Sequence, residues 1–260
     1  MTLGDKRPAS FTAMRRWLGL LVIAGTLLAA CGSDGETAAP PASTSTSAAT
    51  ATTVPEDAKV FFVAEATGPT IDIYDEASGG EPVRTLARAD EISGRLVFLQ
   101  ADETTPDRIQ VYLPVRPNGS VGWVDRADVS LSSHSFFMEI HLADHRLEVF
   151  DGSRVVLDTA IGVGTTDTPT PGGVFFIKEL LQPPSPNGDY GTYAYGLSGF
   201  STVLETFNGG NGVIGVHGTN DPSSIGTDVS HGCIRMVNED IEMLVEDIGL
   251  PLGTPVSIIA

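Results

Sequence analysis

Short β-forming runs separated by glycine- and proline-rich turns fill the chain from about residue 59 onward. Each run holds four to six residues rich in Val, Ile, Phe, Tyr or Leu, which is the composition and length of a strand. The runs lie at 60–63, 71–74, 95–99, 109–113, 136–141, 146–150, 154–157, 172–177, 212–216 and 255–259. The counts of 29 Gly and 17 Pro, with only 7% aromatic residues, also favour turn-rich β structure over long helices.

One segment near the end of the chain has the periodicity of a helix instead. Its apolar side chains recur at the i, i+3, i+4 and i+7 spacing, in Ile241, Leu244, Val245 and Ile248. Asn238 is a residue type that caps a helix start, and Gly249 is a type that ends one. We therefore predict a mainly β protein with one short helix.

The β runs fall into two groups, which predict one domain over residues 58–131 and a second over 134–260. Residues 113–124 contain a tight turn followed by Gly122-Trp123-Val124, and this run resembles the end of bacterial SH3-like domains. The resemblance implies a small β-barrel, and such modules sometimes bind cell-wall peptides. Because this region has no charged or catalytic cluster, we favour a spacer that positions the second domain, which we predict to be a β-sandwich.

The first thirty residues have the pattern of an export signal. A basic segment precedes an apolar run from Trp17 to Ala30, which is shorter than a comfortable bilayer-spanning helix. The run ends Leu-Ala-Ala-Cys, with Cys31 last, and resembles the lipobox of bacterial lipoproteins, where the thiol receives a diacylglycerol. We predict a signal peptide over residues 1–30 and a protein anchored through lipid at Cys31 to the cell membrane, facing the cell wall. A transmembrane anchor with an incidental Cys31 is the alternative.

Residues 31–57 are dominated by Ala, Ser, Thr and Pro. A segment with so few apolar residues does not offset the entropy lost on folding, so we predict a disordered tether. Such a tether suits a protein that reaches outward from a membrane.

The chain is strongly acidic, with a formal net charge of -18. A chain of this charge repels polyanions, which disfavours nucleic acid as a partner. It also provides no polybasic anchor for an anionic membrane surface. Simple solubility accounts for the charge.

The chain has two cysteines. If Cys31 carries lipid, Cys233 is a single thiol without a disulfide partner, which is unusual in an exported protein. Cysteine count alone leaves two alternatives open, a reactive thiol and a buried Cys that only packs.

The neighbours of Cys233 favour thiol chemistry. His217 ends a predicted strand, where a side chain projects rigidly, and Ser230-His231-Gly232-Cys233 follows after a polar turn. An imidazole within hydrogen-bond reach makes a thiol nucleophilic. Gly232 permits the sharp backbone bend that an oxyanion hole needs.

The order His-Gly, a short loop and Ser-His-Gly-Cys resembles the L,D-transpeptidase (YkuD-type) catalytic domain. The resemblance covers about residues 136–259, including the segments 170–175 and 253–256. It implies that Cys233 is the nucleophile and that His217 accepts and returns the proton. It also implies that the backbone carbonyl of Gly218 orients the imidazole.

The same resemblance implies roles for the residues around the thiol. Ser230 and His231 shape the site, and the backbone amides of Gly232 and Cys233 form the oxyanion hole. Some relatives carry Asn at the position of Arg235. Contact between Arg235 and substrate and a structural ion pair therefore both remain open.

A loop rich in Pro, Gly and Tyr is predicted between Lys178 and Phe200. Loops of this length are usually functional or disordered. Tyr190, Tyr193 and Tyr195 make a substrate-binding lid our expectation, with plain surface packing as the alternative.

The resemblance implies a cysteine acyltransferase that forms 3→3 cross-links in peptidoglycan through a Cys233 thioester, without a cofactor or metal. The expected substrates are peptidoglycan stem peptides, and we expect a monomer. Hydrolysis of the same thioester would give an L,D-carboxypeptidase instead. A non-catalytic wall-binding lipoprotein and a zinc hydrolase using His217, His231 and Cys233 are the remaining alternatives.

Overall fold

The computed structural model describes residues 59–260, and strands dominate it. The signal peptide, the Cys31 lipidation site and the tether predicted at 31–57 lie outside the described residues. In the part of the chain that is described, no helix is long and apolar enough to cross a membrane.

Residues 59–134 form an all-β region, here called the N-terminal lobe. Its strands are β1 (Phe61–Ala66), β2 (Thr70–Ile73), β3 (Arg84–Ala87), β4 (Val97–Thr104), β5 (Arg108–Tyr112), β6 (Val121–Asp125) and β7 (Val129–His134). Five of them form an antiparallel sheet in the order β6-β5-β4-β1-β7, and β2 pairs with β3 beside it. The predicted strand content is confirmed, and the SH3-like assignment stays a prediction.

Residues 135–260 form the second region, here called the C-terminal lobe. Its strands are β8 (Phe136–His141), β9 (Arg146–Asp151), β10 (Arg154–Ala160), β11 (Val163–Gly164), β12 (Gly173–Leu181), β13 (Ala194–Phe200), β14 (Val213–His217), β15 (Asp228–Ser230), β16 (Ile234–Arg235) and β17 (Pro255–Ile259). Eight of them form one mixed sheet in the order β10-β9-β8-β17-β12-β13-β14-β16, and β11 pairs with β15. The mainly β class is confirmed.

Strand β12 connects the two halves of the large sheet. Its first half pairs with β17 through Phe175 and Phe176, and its second half pairs with β13 after a register shift between Ile177 and Glu179. A long strand that changes partner is a usual way for a folded sheet to enclose a core. Ile177 and Phe175 are buried in that core together with side chains of β8, β9, β13, β14 and β17.

The predicted helix is present but is shorter than its apolar stripe. Helix α1 spans Asn238–Glu242 and continues as a π-helical segment over Met243–Asp247. Ile241 and Leu244 point into the core as the periodicity predicted. The prediction that Asn238 caps the helix is wrong, because Val237 occupies the cap and the Asn238 side chain bonds the backbone of Thr219 instead.

The two lobes share an apolar contact. Phe176 of β12 is fully buried among Val63, Val97 and Leu99 of the N-terminal lobe. The predicted division at residues 131–134 stays a prediction, although this contact holds the two lobes together through buried side chains.

Candidate active site

The parallel pairing of β14 with β16 brings the predicted nucleophile and base to one face of the sheet. Val216 lies opposite Ile234, and His217 lies opposite Arg235. Val216 and Ile234 are fully buried on the core side, so their neighbours project from the other face. His217 and Cys233 both line a cavity of about 360 Å³ there.

His217 is fixed through one ring nitrogen. Its Nδ1 lies 2.6 Å from the carbonyl oxygen of Gly218, so Nδ1 carries the proton and donates it in this hydrogen bond. Nε2 is thereby left as the acceptor nitrogen of the neutral ring. The predicted orienting carbonyl thus lies where the resemblance implied.

Burial keeps the imidazole neutral. It lowers the pKa of His217 to about 4, and the nearby positive charge of Arg235 acts in the same direction. The Gly218 carbonyl and the charge of Asp189 oppose the shift but are weaker. At neutral pH, His217 is therefore an unprotonated base.

Cys233 is a half-buried free thiol. Burial raises its pKa, whereas a backbone hydrogen bond from Gly215 and the charge of Arg235 lower it. The resting site therefore holds a neutral thiol and a neutral imidazole that line the same cavity. The thiolate forms when the Cys233 proton moves to His217. The Gly215 amide and the Arg235 charge both stabilise this thiolate.

Ser230 organises the turn that presents the thiol. Its buried hydroxyl donates to the carbonyl oxygen of Cys233 at 2.6 Å, and it accepts a hydrogen bond from the Gly232 N–H at 3.1 Å. The expectation that the Gly232 amide contributes to the oxyanion hole is therefore wrong, because the Gly232 N–H already donates a hydrogen bond to the Ser230 hydroxyl. The Cys233 N–H has no hydrogen-bond partner within residues 59–260 and stays free for this role.

His231 and Arg235 line the same cavity. His231 is exposed and packs its ring against Phe207, with the ring centroids 5.1 Å apart. Arg235 makes no ion pair within residues 59–260, and its buried Nε has no hydrogen-bond partner there. The alternative of a structural ion pair therefore finds no partner in the described part of the chain, and the guanidinium faces the site.

The three predicted lid tyrosines separate into different environments. Tyr190 lines the cavity and lies against the imidazole of His217, with ring centroids 4.8 Å apart. Tyr193 instead donates to Glu246 at 2.8 Å, away from the cavity. The prediction for Tyr195 is wrong, because its side chain is fully buried in the core as part of β13. The predicted loop is correspondingly shorter, since β12 and β13 extend into it from both ends.

Sequence reasoning missed the contribution of Asn238 and Gly191. A Cβ atom on Gly191 would lie 2.1 Å from Asn238 Oδ1, and one on Gly218 would lie 2.2 Å from the same atom. Gly191 also has a φ of +62°, which disfavours other residues. These close approaches hold the peptide that orients His217. In the sequence, the only indication of this close packing was a glycine, Gly191, directly after Tyr190.

A second cavity of about 520 Å³ adjoins the first and shares His217 and Cys233 with it. It extends across β14 and β13 to Lys178 and Glu179 on β12. Among residues 59–260, no group of three or more His, Cys, Asp or Glu side chains is arranged to hold a metal ion. The site thus combines a thiol, an oriented neutral imidazole and two clefts that meet at the thiol, which is suited to acyl transfer.

Comparison with known proteins places this site within a described family. The sequence model of the L,D-transpeptidase catalytic domain, YkuD, matches residues 135–258. YkuD of Bacillus licheniformis, whose name places it among the L,D-transpeptidases, is 39% identical over 119 residues, which are 46% of this chain and 62% of that protein. YqjB of Bacillus subtilis, named for the same activity, is 32% identical over 132 residues, covering 47% of this chain and 70% of that protein.

A solved structure of an L,D-transpeptidase from Mycobacterium smegmatis is also similar. It is 18% identical, covers 73% of this chain and 99% of its own, and has a TM-score of 0.37. The chain spans less than two thirds of the Bacillus licheniformis protein.

Proposed function

This chain belongs to the L,D-transpeptidase (YkuD-type) catalytic domain family, and from that membership we propose that it is a cysteine acyltransferase acting on peptidoglycan stem peptides. The observation that carries the proposal is the hydrogen bond between His217 Nδ1 and the Gly218 carbonyl. This bond leaves Nε2 as a base in the cavity that Cys233 also lines. Family membership supports the reaction class, and the geometry supports the proposed roles of His217 and Cys233.

The first half of the reaction forms the acyl-enzyme. His217 Nε2 takes the thiol proton as the Cys233 sulfur attacks the carbonyl carbon between the third residue, an L-centre, and the fourth, a D-alanine. The free N–H of Cys233 donates to the developing oxyanion. The C–N bond then breaks, the imidazolium returns the proton to the leaving amine, and D-alanine departs from a thioester on Cys233.

The second half transfers the acyl group. A neutral side-chain amine of a second stem attacks the thioester carbonyl, and His217 Nε2 accepts its proton. The C–S bond breaks, the sulfur is reprotonated by the imidazolium, and the product is a 3→3 cross-link. Tyr190, packed against the imidazole, restricts water at the thioester and so favours transfer over hydrolysis.

The proposal extends to the cellular location. The lipobox-like ending at Cys31 and the composition of residues 31–57 support a lipid-anchored protein that faces the wall on a tether. The test is the intact mass of protein from the membrane fraction, in which Cys31→Ala should remove both the acyl mass and membrane retention. Unchanged mass and retention in that variant would refute lipidation.

The catalytic proposal is tested by incubating purified protein with a stem tetrapeptide or a carbapenem. Wild type should gain the acyl mass on Cys233, while Cys233→Ala should gain none and His217→Gln should gain it far more slowly. Cross-linked dimers detected by mass spectrometry support transfer, whereas tripeptide alone indicates a carboxypeptidase. An adduct retained in Cys233→Ala, or absent from wild type, would refute Cys233 as the nucleophile.

A further inference from the structure

A strip without side chains runs across the sheet from β12 to the thiol. Glu179 on β12 lies opposite Gly196 on β13, and Gly196 lies opposite Gly215 on β14. Cys233 comes directly before Ile234, the partner of Val216, so it adjoins Gly215. All four residues line the second cavity. The Glu179 carboxylate and the Cys233 nucleophile therefore lie at opposite ends of the strip formed by Gly196 and Gly215.

The two glycines are required by close neighbours. A Cβ on Gly196 would lie 2.7 Å from Glu179 Cγ and 2.8 Å from Glu179 Oε1. A Cβ on Gly215 would lie 2.8 Å from the carbonyl oxygen of Tyr195. The Glu179 side chain therefore lies over Gly196 and extends along the strip towards Cys233.

The carboxylate of Glu179 is incompletely neutralised. Glu179 is 4% exposed, and its Oε1 lies 3.6 Å from Lys178 Nζ. The same ammonium pairs more closely with Glu91 of the N-terminal lobe. One cation is thus shared by two carboxylates, and Glu179 Oε2 is buried without a hydrogen-bond partner among the described residues. A buried carboxylate oxygen of this kind is costly unless a donor binds it.

We propose that Glu179 binds a primary ammonium on the side chain of the acyl donor's third residue, the residue that carries the scissile carbonyl. The inference rests on the proposed function and adds a specificity residue to it. An ammonium would supply the missing donor to Oε2 and balance the excess negative charge of Glu179, Lys178 and Glu91.

The distance assigns the ammonium to the donor and not to the attacking amine. Neighbouring strands lie about 4.8 Å apart, so a carboxylate above β13 lies roughly two strand spacings from the thiol of Cys233, which directly precedes β16. An attacking amine must be neutral and in contact with the thioester carbonyl, which excludes an ammonium held at that distance. An extended side chain with a stem of about four carbons, as in lysine, has the length to reach from the carbonyl to Glu179.

The test compares two donor tetrapeptides, one with a free side-chain amine on the third residue and one with that amine acetylated. Wild type should form thioester from the free amine about ten- to a hundredfold faster, as expected for a charge-assisted hydrogen bond. Glu179→Gln should lose this preference and acylate both donors at similar rates. Glu81→Gln, which removes an exposed charge in the N-terminal lobe, should keep it.

A β-lactam without an amine provides the control for an intact site. It should acylate wild type and Glu179→Gln at equal rates. Three results would each overturn the proposal: equal rates of wild type with both donors, a preference retained in Glu179→Gln, or loss of β-lactam acylation in that variant. A bound water or a structural role would then explain Glu179. Failure of wild type to react with any donor or β-lactam would instead overturn the proposed function.

Discussion

Asn238 Oδ1 accepts a hydrogen bond from the Thr219 N–H at 3.1 Å, and this contact fixes the peptide that orients the base. The carbonyl of the preceding residue, Gly218, is the one that accepts the hydrogen bond from His217 Nδ1–H. Asn238 therefore acts on the imidazole through one intervening backbone segment, as a positioning residue.

Asn238→Ala should slow acylation by a β-lactam by roughly tenfold, because losing a hydrogen bond to a constrained amide costs about 1–2 kcal/mol and frees the Gly218 carbonyl to move. Asn238→Asp keeps an oxygen acceptor and should retain more of the rate. The acylation rate constant across pH 5–8 is the measurement. A wild-type rate in Asn238→Ala would show that the Gly218 carbonyl is held by other contacts.

His217 should make the fold sensitive to acid. Burial lowers its pKa from 6.5 to about 4, so the unfolded chain binds a proton between those values while the folded protein does not. Stability attributable to this residue is therefore full above pH 6.5 and falls as the pH decreases towards 4, by roughly 2–3 kcal/mol between pH 7 and 4.5. Urea unfolding at both pH values, with His217→Gln as the reference, measures the difference. An equal acid loss in both proteins would contradict it.

Arg235 should control the ionisation of the thiol. Its positive charge lowers the pKa of Cys233, so Arg235→Gln should raise that pKa and reduce the thiolate present at a given pH. Alkylation of Cys233 at pH 8 should slow by about tenfold for each pKa unit, whereas Arg235→Lys should keep most of the rate. An unchanged alkylation profile in Arg235→Gln would mean that the guanidinium acts only on substrate.

The buried and exposed tyrosines should respond differently to truncation. Tyr195→Ala removes a fully buried aromatic ring and should cost about 3–5 kcal/mol of unfolding free energy. Tyr190→Ala removes a ring from the cavity beside His217 and should leave stability nearly unchanged while slowing acylation. Thermal unfolding and acylation rates measured on both variants separate the two effects, and similar stability losses would contradict the distinction.

Local pattern was sufficient for most of the strands and for the expectation that His217 and Cys233 lie at one cavity. The alternation of side chains predicts β14. The chain then returns beside β14 after a short loop, which leaves few positions for the next strand of the sheet, β16. Alternation also marks Tyr195 as a strand residue, because Tyr195 and Leu197 are apolar and are separated by Gly196 and followed by Ser198. The density of Gly, Pro and Tyr around this segment masked that alternation.

Contacts between distant segments could not be predicted in this way. Asn238 is a good helix cap by composition, yet its side chain bonds Thr219 because the β14–β16 pairing brings the two segments together. Side-chain competition for backbone donors is decided by tertiary geometry, which a single sequence does not contain.

Arg116 of the N-terminal lobe should control the shape of the cleft from a distance. Its guanidinium donates to the carbonyl oxygens of Ser201, Leu204 and Asn211, at 2.7, 3.0 and 3.1 Å, and lies over the ring of Phe200. Ser201 and Leu204 line the active-site cavity, so these bonds hold one of its walls.

Arg116→Ala should leave three carbonyls in this wall without their donor and let it move. We expect a higher KM for the stem peptide with a smaller change in kcat, because His217 at the end of β14 and Cys233 just before β16 make no hydrogen bond with Arg116. Arg126→Ala, a basic residue elsewhere in the N-terminal lobe, is the matched control. Hydrogen exchange over residues 201–212 should rise in Arg116→Ala only. Unchanged exchange and KM would show that the wall is held by the C-terminal lobe alone, and the N-terminal lobe would then have no part in shaping the cleft.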